Sequence, residues 1–327
     1  MMMKKIKNEN IKRIGHYLKM LLKYLDIVLI LILLYVVVVP WVYSHTYGNK
    51  LVNNVLKNIT ANSTSPDDTA ISIMSWEHTY FQSPYLAYNP NSILKNIVKI
   101  NGKYHLFIRT KEVPWIIHSR LANCGEYAMV FVYLMNKKGY KARLITAPGE
   151  DHAWAEYFSH GIWITVDPSE DIVVVNKSRF AKGKHWSYII SENFDGSDKK
   201  DITVEYVPTG ILKIQISTNG HPVKDAYVII KDPYLMKLDP KRYKSPRVVV
   251  INKTNEKGIV TFKLGKNEYI VKIIKPEYLL FARIYTKNVR VFPKNETKIY
   301  IDVAKDKGKF GCNIALPLQV FGKLYAN

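Results

Sequence analysis

Hydrophobic residues change their period several times along this chain. Residues 25–43 (LDIVLILILLYVVVVPWVY) are almost wholly apolar, with Asp26 at the edge of the run. A helix rises about 1.5 Å per residue, so about 20 such residues cross a ~30 Å hydrocarbon core, and the run predicts a transmembrane helix. After a polar stretch, Thr69, Ala70, Ile71, Ile73, Met74 and Trp76 recur at helical spacing behind an acidic start at Asp67. Cys124 opens a second helical stretch, with Met129, Val130, Val132, Tyr133 and Leu134 along it and Lys137, Lys138 and Gly139 at its end.

From residue 151 the period falls to two, which puts His152, Trp154 and Glu156 on one face of a strand and Ala153, Ala155 and Tyr157 on the other. Gly161 then signals a hairpin, and residues 162–166 form a partner strand that ends at Asp167 before Pro168. Residues 93–98 fit a short helix, 104–108 a strand after the Asn101-Gly102 turn, and 172–175 another strand. Residues 176–201 are polar apart from Trp186 and residues 188–190, which reads as a domain edge. Beyond Val207 come short alternating runs at 212–217, 226–231, 247–251, 259–264, 268–274, 282–291 and 298–303, with Asn219-Gly220, Asp239-Pro240, Lys257-Gly258 and Pro293 between them. That rhythm predicts an antiparallel β-sandwich, so the fold class is α+β with an N-terminal membrane helix.

Charge adds orientation. The net charge is +21, carried mostly by lysines spread through every segment. An arginine-rich patch with interleaved aromatics is missing, so nucleic acid is not an expected partner. Lys4, Lys5, Lys7, Lys12, Arg13, Lys19 and Lys23 precede the apolar run, and Trp41 and Tyr43 lie at its far end. The positive-inside rule then keeps residues 1–24 cytoplasmic and sends everything after about Ser44 outside. A cleavable signal peptide is the alternative, but the run is longer than an h-region and no small-residue cleavage site follows it. Asn58, Asn62, Asn176, Asn252 and Asn295 begin glycosylation sequons, all on the external side.

A cysteine in the first turn of a helix meets unpaired N–H groups and the positive end of the helix dipole, both of which favour thiolate. With an imidazole on a strand and a carboxylate on the next strand, Cys124, His152 and Asp167 supply a nucleophile, its base and the group that orients the base. Each residue also has a plainer reading. A lone cysteine on an apolar helix is usually a small core residue. A structural disulfide between Cys124 and Cys312 is credible outside a cell and would abolish the nucleophile. Zinc ranks lower, because no Cys-x-x-Cys spacing is present. Trp154 and Trp163 read as packing residues, Glu156 as a hydrogen-bond or ion-pair partner in the site wall and Arg143, at the start of a strand over 143–146, as a member of a structural ion pair. Trp76 and Trp115 are possible cleft residues, more often core.

The string Cys124-Gly-Glu-Tyr-Ala128, then Gly139-Tyr-Lys-Ala-Arg143, then His152-Ala-Trp154-Ala-Glu156, then Trp163 and Asp167-Pro168 resembles the core of the transglutaminase-like superfamily of papain-fold cysteine enzymes. The resemblance implies a papain-like catalytic domain with Cys124, His152 and Asp167 as its catalytic triad. The first and third segments are also similar to the peptide:N-glycanase branch, which cleaves glycan–asparagine amides, although the extra cysteines that branch often uses for zinc are absent. Gly220-His-Pro-Val-Lys-Asp-Ala226, Thr254-Asn-Glu-Lys-Gly258 and Glu268-Tyr-Ile-Val-Lys272 resemble carboxypeptidase-regulatory-like or transthyretin-like modules, which are usually spacers or binding modules.

The expected organisation is a basic segment (1–24), a transmembrane helix (25–43), a linker (44–66), a transglutaminase-like catalytic domain (67–205), a β-sandwich (207–304) and a tail (305–327). The expected function is that of a membrane-anchored, extracytoplasmic cysteine enzyme acting on a peptide or glycopeptide amide, as protease, deglycosylase or transglutaminase, through a thioester. Backbone N–H groups at the helix start would hold the oxyanion. Hydrolysis is expected over cross-linking, since an anchored enzyme facing water meets water most often. No cofactor is expected. The rival is a non-catalytic cell-surface binding module on the same fold.

Overall fold

The computed structural model describes residues 2–84, 97–100, 102–278, 281–306 and 308–312. Helix α1 (Met2–Thr46) contains one stretch, Gly15–Thr46, long and apolar enough to cross a membrane, and the side chains along it stand exposed instead of forming a core. Next come α2 (Gly48–Ile59), α3 (Pro66–Tyr80), the hairpin β1 (Ile97–Ile100) and β2 (Lys103–Leu106), α4 (Val113–Ser119) and α5 (Cys124–Lys137). The foot of α1 rests on α4, where Tyr43 packs against Trp115 and His118 with ring centroids 5.7 and 4.3 Å apart.

Three expectations change here. The linker between residues 44 and 66 is largely helical: Val52 and Leu56 lie one turn apart on α2 and are buried with α3 and α5, with Leu51, Val55 and Ile59 beside them. A Cβ on Gly48 would come within 2.7 Å of Pro114, so the close start of α2 against α4 requires glycine. The helix expected over 93–98 ends in strand, since Ile97 and Val98 belong to β1, while residues 93–96 lie outside the described residues. Helix α3 begins one residue before Asp67, and its cap is Ser65, whose Oγ accepts the Asp68 N–H at 3.1 Å.

Strands β3 (Ala142–Ala147), β4 (His152–Ser159), β5 (Ile162–Asp167) and β6 (Ile172–Val174), helix α6 (Lys177–Ala181), strands β7 (Ile190–Glu192) and β8 (Lys200–Asp201) and helix α7 (Thr203–Tyr206) follow. The strands form an antiparallel sheet in the order β6-β5-β4-β3-β7-β8. The alternation read in the sequence puts Ala155 and Tyr157 against Phe131 and Leu134 of α5 on one face. On the other face Trp154 packs with Phe180, Trp186 and Tyr206. Residues 176–201, expected as a polar edge, thus cover that face and extend the sheet. Lys177, Arg179, Lys182 and Lys184 hid this role in the pattern: Lys184 lies over the Phe180 and Trp186 rings, and Lys177 turns inward to Glu156.

The remainder holds β9 (Thr209–Thr218), β10 (His221–Pro222), β11 (Tyr227–Asp232), α8 (Tyr234–Leu238), β12 (Arg247–Lys253), β13 (Ile259–Gly265), β14 (Asn267–Tyr278), β15 (Phe281–Val291), β16 (Glu296–Asp302) and β17 (Lys309–Cys312). One sheet joins β10, β13 and β16 to β9; the other runs β12-β11-β14-β15-β17. Leu212, Ile214 and Phe262 from the first share a buried core with Val228, Val271 and Ile273 from the second. Pairing is antiparallel except that β16 lies parallel to β9. The chain reaches β16 from β15 in the opposite sheet, so no hairpin dictates its direction. The halves of the chain meet at residues 185–187: Ser187 O accepts the Gly265 N–H at 2.9 Å, and a Cβ on Gly265 would lie 2.1 Å from Trp186 O.

Glu77 on α3 is fully buried, and among the described residues neither carboxylate oxygen has a hydrogen-bond partner. Burial raises its pKa well above the usual 4.5. The folded state therefore keeps a proton that the unfolded chain has lost, and stability falls as pH rises from about 4.5 toward the folded-state pKa. Glu77→Gln is expected to stabilise the full chain in detergent by roughly 1–3 kcal/mol at pH 8 and by little at pH 4.5, read from thermal unfolding at the two pH values.

Candidate active site

The start of α5 is fixed by a reciprocal cap. Asn123 Oδ1 accepts the Gly125 and Glu126 N–H groups at 3.0 and 3.3 Å, and the Asn123 N–H donates to Glu126 Oε2 at 3.2 Å. Glu126 is buried; burial raises its pKa, against the opposing charge of Arg109, whose Nε lies 3.5 Å from Oε1. Cys124 is thereby the first helical residue, and it is a free thiol, which removes the expected rival pairing with Cys312. The cap also uses two of the N–H groups expected to hold an oxyanion, leaving the Cys124 N–H as the helix-start donor next to the sulfur. The signal for this cap, Asn followed three residues later by Glu, was present in the sequence.

Strand β4 begins at His152, immediately after Asp151, which takes a left-handed conformation with φ of 54°. A non-glycine residue in that region costs of order 1 kcal/mol and needs support from its surroundings. Strand β5, paired to β4 through Ala155 and Val166, ends at Asp167. The three residues singled out in the sequence come together there. His152 Nε2 lies 2.7 Å from Asp167 Oδ2, and Cys124 Sγ lies 4.0 Å from the Asp151 carbonyl oxygen. Asp167 is fully buried, and its Oδ1 accepts the Ser169 N–H at 3.2 Å and the Ser169 hydroxyl at 2.7 Å.

Burial by itself would raise the Asp167 pKa, but His152, Ser169 and the charge of Lys184 hold it below the usual carboxylate range. Burial would likewise lower the His152 pKa; hydrogen bonds to Asp167 and Cys124, and their charges, outweigh it and raise the imidazole toward its protonated form. Since Asp167 engages Nε2, Nδ1 is the nitrogen left for the thiol. The imidazole also stacks with Trp154 and Trp186, at centroid separations of 5.7 and 6.0 Å. Trp186 entered the sequence reading only as an apolar anchor, because no local pattern links residue 186 to residue 152.

Farther along the His152 face of β4 lies a second buried carboxylate. Glu156 accepts from Arg143 Nε at 2.7 Å and from the Tyr206 hydroxyl at 2.5 Å, with Lys177 Nζ 2.7 Å away. Trp154 Nε1 donates to the same Tyr206 oxygen at 2.9 Å, which couples this network to the ring beside His152. Arg143 also stacks on Trp163, with its guanidinium carbon 4.2 Å from the ring centroid. Trp76 packs against Tyr80 and Phe81, and Trp115 against the foot of α1, so both are packing residues.

In front of β4 the C-terminal half reaches the site. One nitrogen of Arg247 lies 2.7 Å from Asp151 Oδ1, and the Tyr243 hydroxyl donates to Asp151 Oδ2 at 3.2 Å. Both side chains hold the left-handed residue that precedes His152. Asp151 had been read only as the start of a strand, and its partners lie more than ninety residues away. A partly buried thiol, an imidazole held by a buried carboxylate and a backbone N–H beside the sulfur together suit attack on a carbonyl carbon.

Comparison with known proteins gives a partial match. Over 109 residues the chain is 33% identical to the peptide-N(4)-(N-acetyl-beta-glucosaminyl)asparagine amidase of Drosophila melanogaster, covering 32% of this chain and 17% of that protein. Over 101 residues it is 37% identical to the amidase of the same name from Oryza sativa subsp. japonica, covering 30% and 22%. The chain thus spans less than a quarter of the length of these two relatives. A crystal structure of a TGase aligns with 37% of this chain and 31% of its own at 16% identity, with a TM-score of 0.27. Residues 53–168, a stretch that begins inside α2 and closes just after Asp167, match the Transglutaminase-like superfamily.

Proposed function

We propose that this chain is a membrane-anchored cysteine enzyme that cleaves amide bonds, with the glycosyl-asparagine amide of a glycopeptide as its foremost substrate class. The reading is carried by the juxtaposition of a free Cys124 thiol with His152 and the buried Asp167. The partial likeness to asparagine amidases favours that substrate class over other amides. The anchor is residues 25–43, with the lysine-rich residues 1–24 in the cytoplasm and the site outside. The C-terminal pair of sheets is read as a non-catalytic β-sandwich that supports the site through Arg247 and Tyr243.

In the proposed reaction the Cys124 sulfur bonds to the amide carbonyl carbon and the carbonyl π electrons move onto oxygen. The thiol proton goes to His152 Nδ1, and the Cys124 N–H faces the oxyanion. Collapse breaks the carbon–nitrogen bond, and the leaving amine takes the proton from His152. The thioester is then attacked by water, which gives a proton to His152; thiolate leaves with the acid product and is reprotonated. Asp167 keeps the imidazole in one orientation and stabilises its charged form throughout.

In the full chain in detergent near neutral pH, iodoacetamide is expected to label Cys124 at least ~10-fold faster than in His152→Ala, as mass spectrometry of the labelled peptide would show. Equal rates in the two proteins would leave a structural cysteine. Arg247→Ala is expected to lower kcat on a glycopeptide roughly tenfold by loosening Asp151, with Arg247→Lys recovering part of the loss. An unchanged kcat in Arg247→Ala would remove the C-terminal half from the catalytic account.

A further inference from the structure

A second constellation lies one residue from the left-handed Asp151, where the two halves of the chain meet. Glu150 precedes β4, His185 lies in the segment that covers the sheet, and Asp232 ends β11; one donor atom from each lies within 4.8 Å of the others. We propose that Glu150, His185 and Asp232 bind a divalent first-row transition cation of the zinc class, which ties the catalytic half to the C-terminal sheets.

The donors are already positioned. His185 Nε2 and Asp232 Oδ2 are 3.1 Å apart. A cation about 2.1 Å from each would subtend roughly 95° between them, close to the right angle of an octahedral or five-coordinate site. The His185 ring is held by stacking on Tyr234, with centroids 3.9 Å apart and planes 9° from parallel. The fully buried Asp232 is held by the Tyr234 N–H at 2.7 Å and by Asn267 Nδ2 at 2.6 Å. A preorganised imidazole and two carboxylates form the nitrogen and oxygen donor set that zinc and its neighbours take.

The cluster also contains a buried carboxylate oxygen without a partner. Glu150 Oε1 accepts the Ser187 N–H at 2.7 Å, but Glu150 Oε2 is shut off from solvent and has no hydrogen-bond partner among the described residues. Two carboxylates turned toward one another out of water require either a proton or a cation between them. His185 also lines an adjoining cavity of about 360 Å³, together with Lys266, Asn267, Glu268 and Arg290. Glu150 and His185 belong to the half that carries the thiol, and Asp232 to the other, so a bound ion would close the junction beside Asp151 and His152.

The simplest competing account is a protonated Glu150, and glutamine at that position imitates it. The test uses the full chain in detergent, stripped with chelator, in a Cys124→Ala background that removes the thiol as an alternative ligand. One equivalent of Zn²⁺ is expected to raise the unfolding temperature by several degrees, and one equivalent of Co²⁺ to give visible ligand-field bands. Glu150→Gln and His185→Gln are each expected to weaken both responses at least tenfold, while circular dichroism shows both variants folded. Absent Zn²⁺ shift and Co²⁺ bands, or responses that survive both substitutions, would overturn the site.

Discussion

Asp167 is a carboxylate with no access to water, and the site is arranged around keeping it charged. An isolated ion in that position would be unaffordable, so the fold surrounds it with donors: the His152 imidazole at 2.7 Å, the Ser169 N–H and hydroxyl, and the nearby Lys184 charge. Compensation of the buried charge and orientation of the imidazole are therefore one interaction. The requirement also sets the sheet order, because β5 has to lie beside β4 for the end of one strand to meet the start of the other. Trp154 and Trp186 beside the imidazole keep the surroundings apolar, which strengthens the attraction they enclose.

The same logic repeats along β4 and at the residue just before it. On the same face as His152, Glu156 is fully buried and is matched by Arg143, Lys177 and Tyr206, fixing the strand that carries His152. Ahead of it, the left-handed Asp151 is held by Arg247 and Tyr243 from the C-terminal half. The C-terminal sheets thus reach the residue adjacent to His152. Removing that half would release Asp151 from both partners, a larger effect on the site than loss of a spacer.

Much of this was legible in the sequence because it is local. The period-two pattern from residue 151 placed His152 and Glu156 on one face, the Pro168 stop placed Asp167 at a strand end, and the seven alternating runs after Val207 each became a strand within a few residues. Burial of Trp154 and the ion pair of Arg143 with Glu156 also agree with that reading. What escaped it is non-local or masked by composition. Polar Asn53, Asn54 and Asn58 disguised α2, whose Val52 and Leu56 declare themselves only against α3 and α5. Trp186, Tyr206, Tyr243 and Arg247 reach the site or its supports from 34 to 96 residues away, at separations no periodicity reports. The parallel placement of β16 depends on a crossing between sheets that residue patterns do not encode.

The central claim is that Cys124 becomes covalently bonded to the acyl half of an amide substrate. Acid quenching of the full chain in detergent within milliseconds to seconds of mixing with a glycopeptide, followed by mass spectrometry of the peptide containing Cys124, tests it most directly. The account predicts a thioester adduct on Cys124 whose mass equals the substrate minus its glycosylamine, and none when Cys124→Ser replaces the parent chain. Turnover of the glycopeptide with Cys124 unmodified, and undiminished in Cys124→Ala, would contradict it.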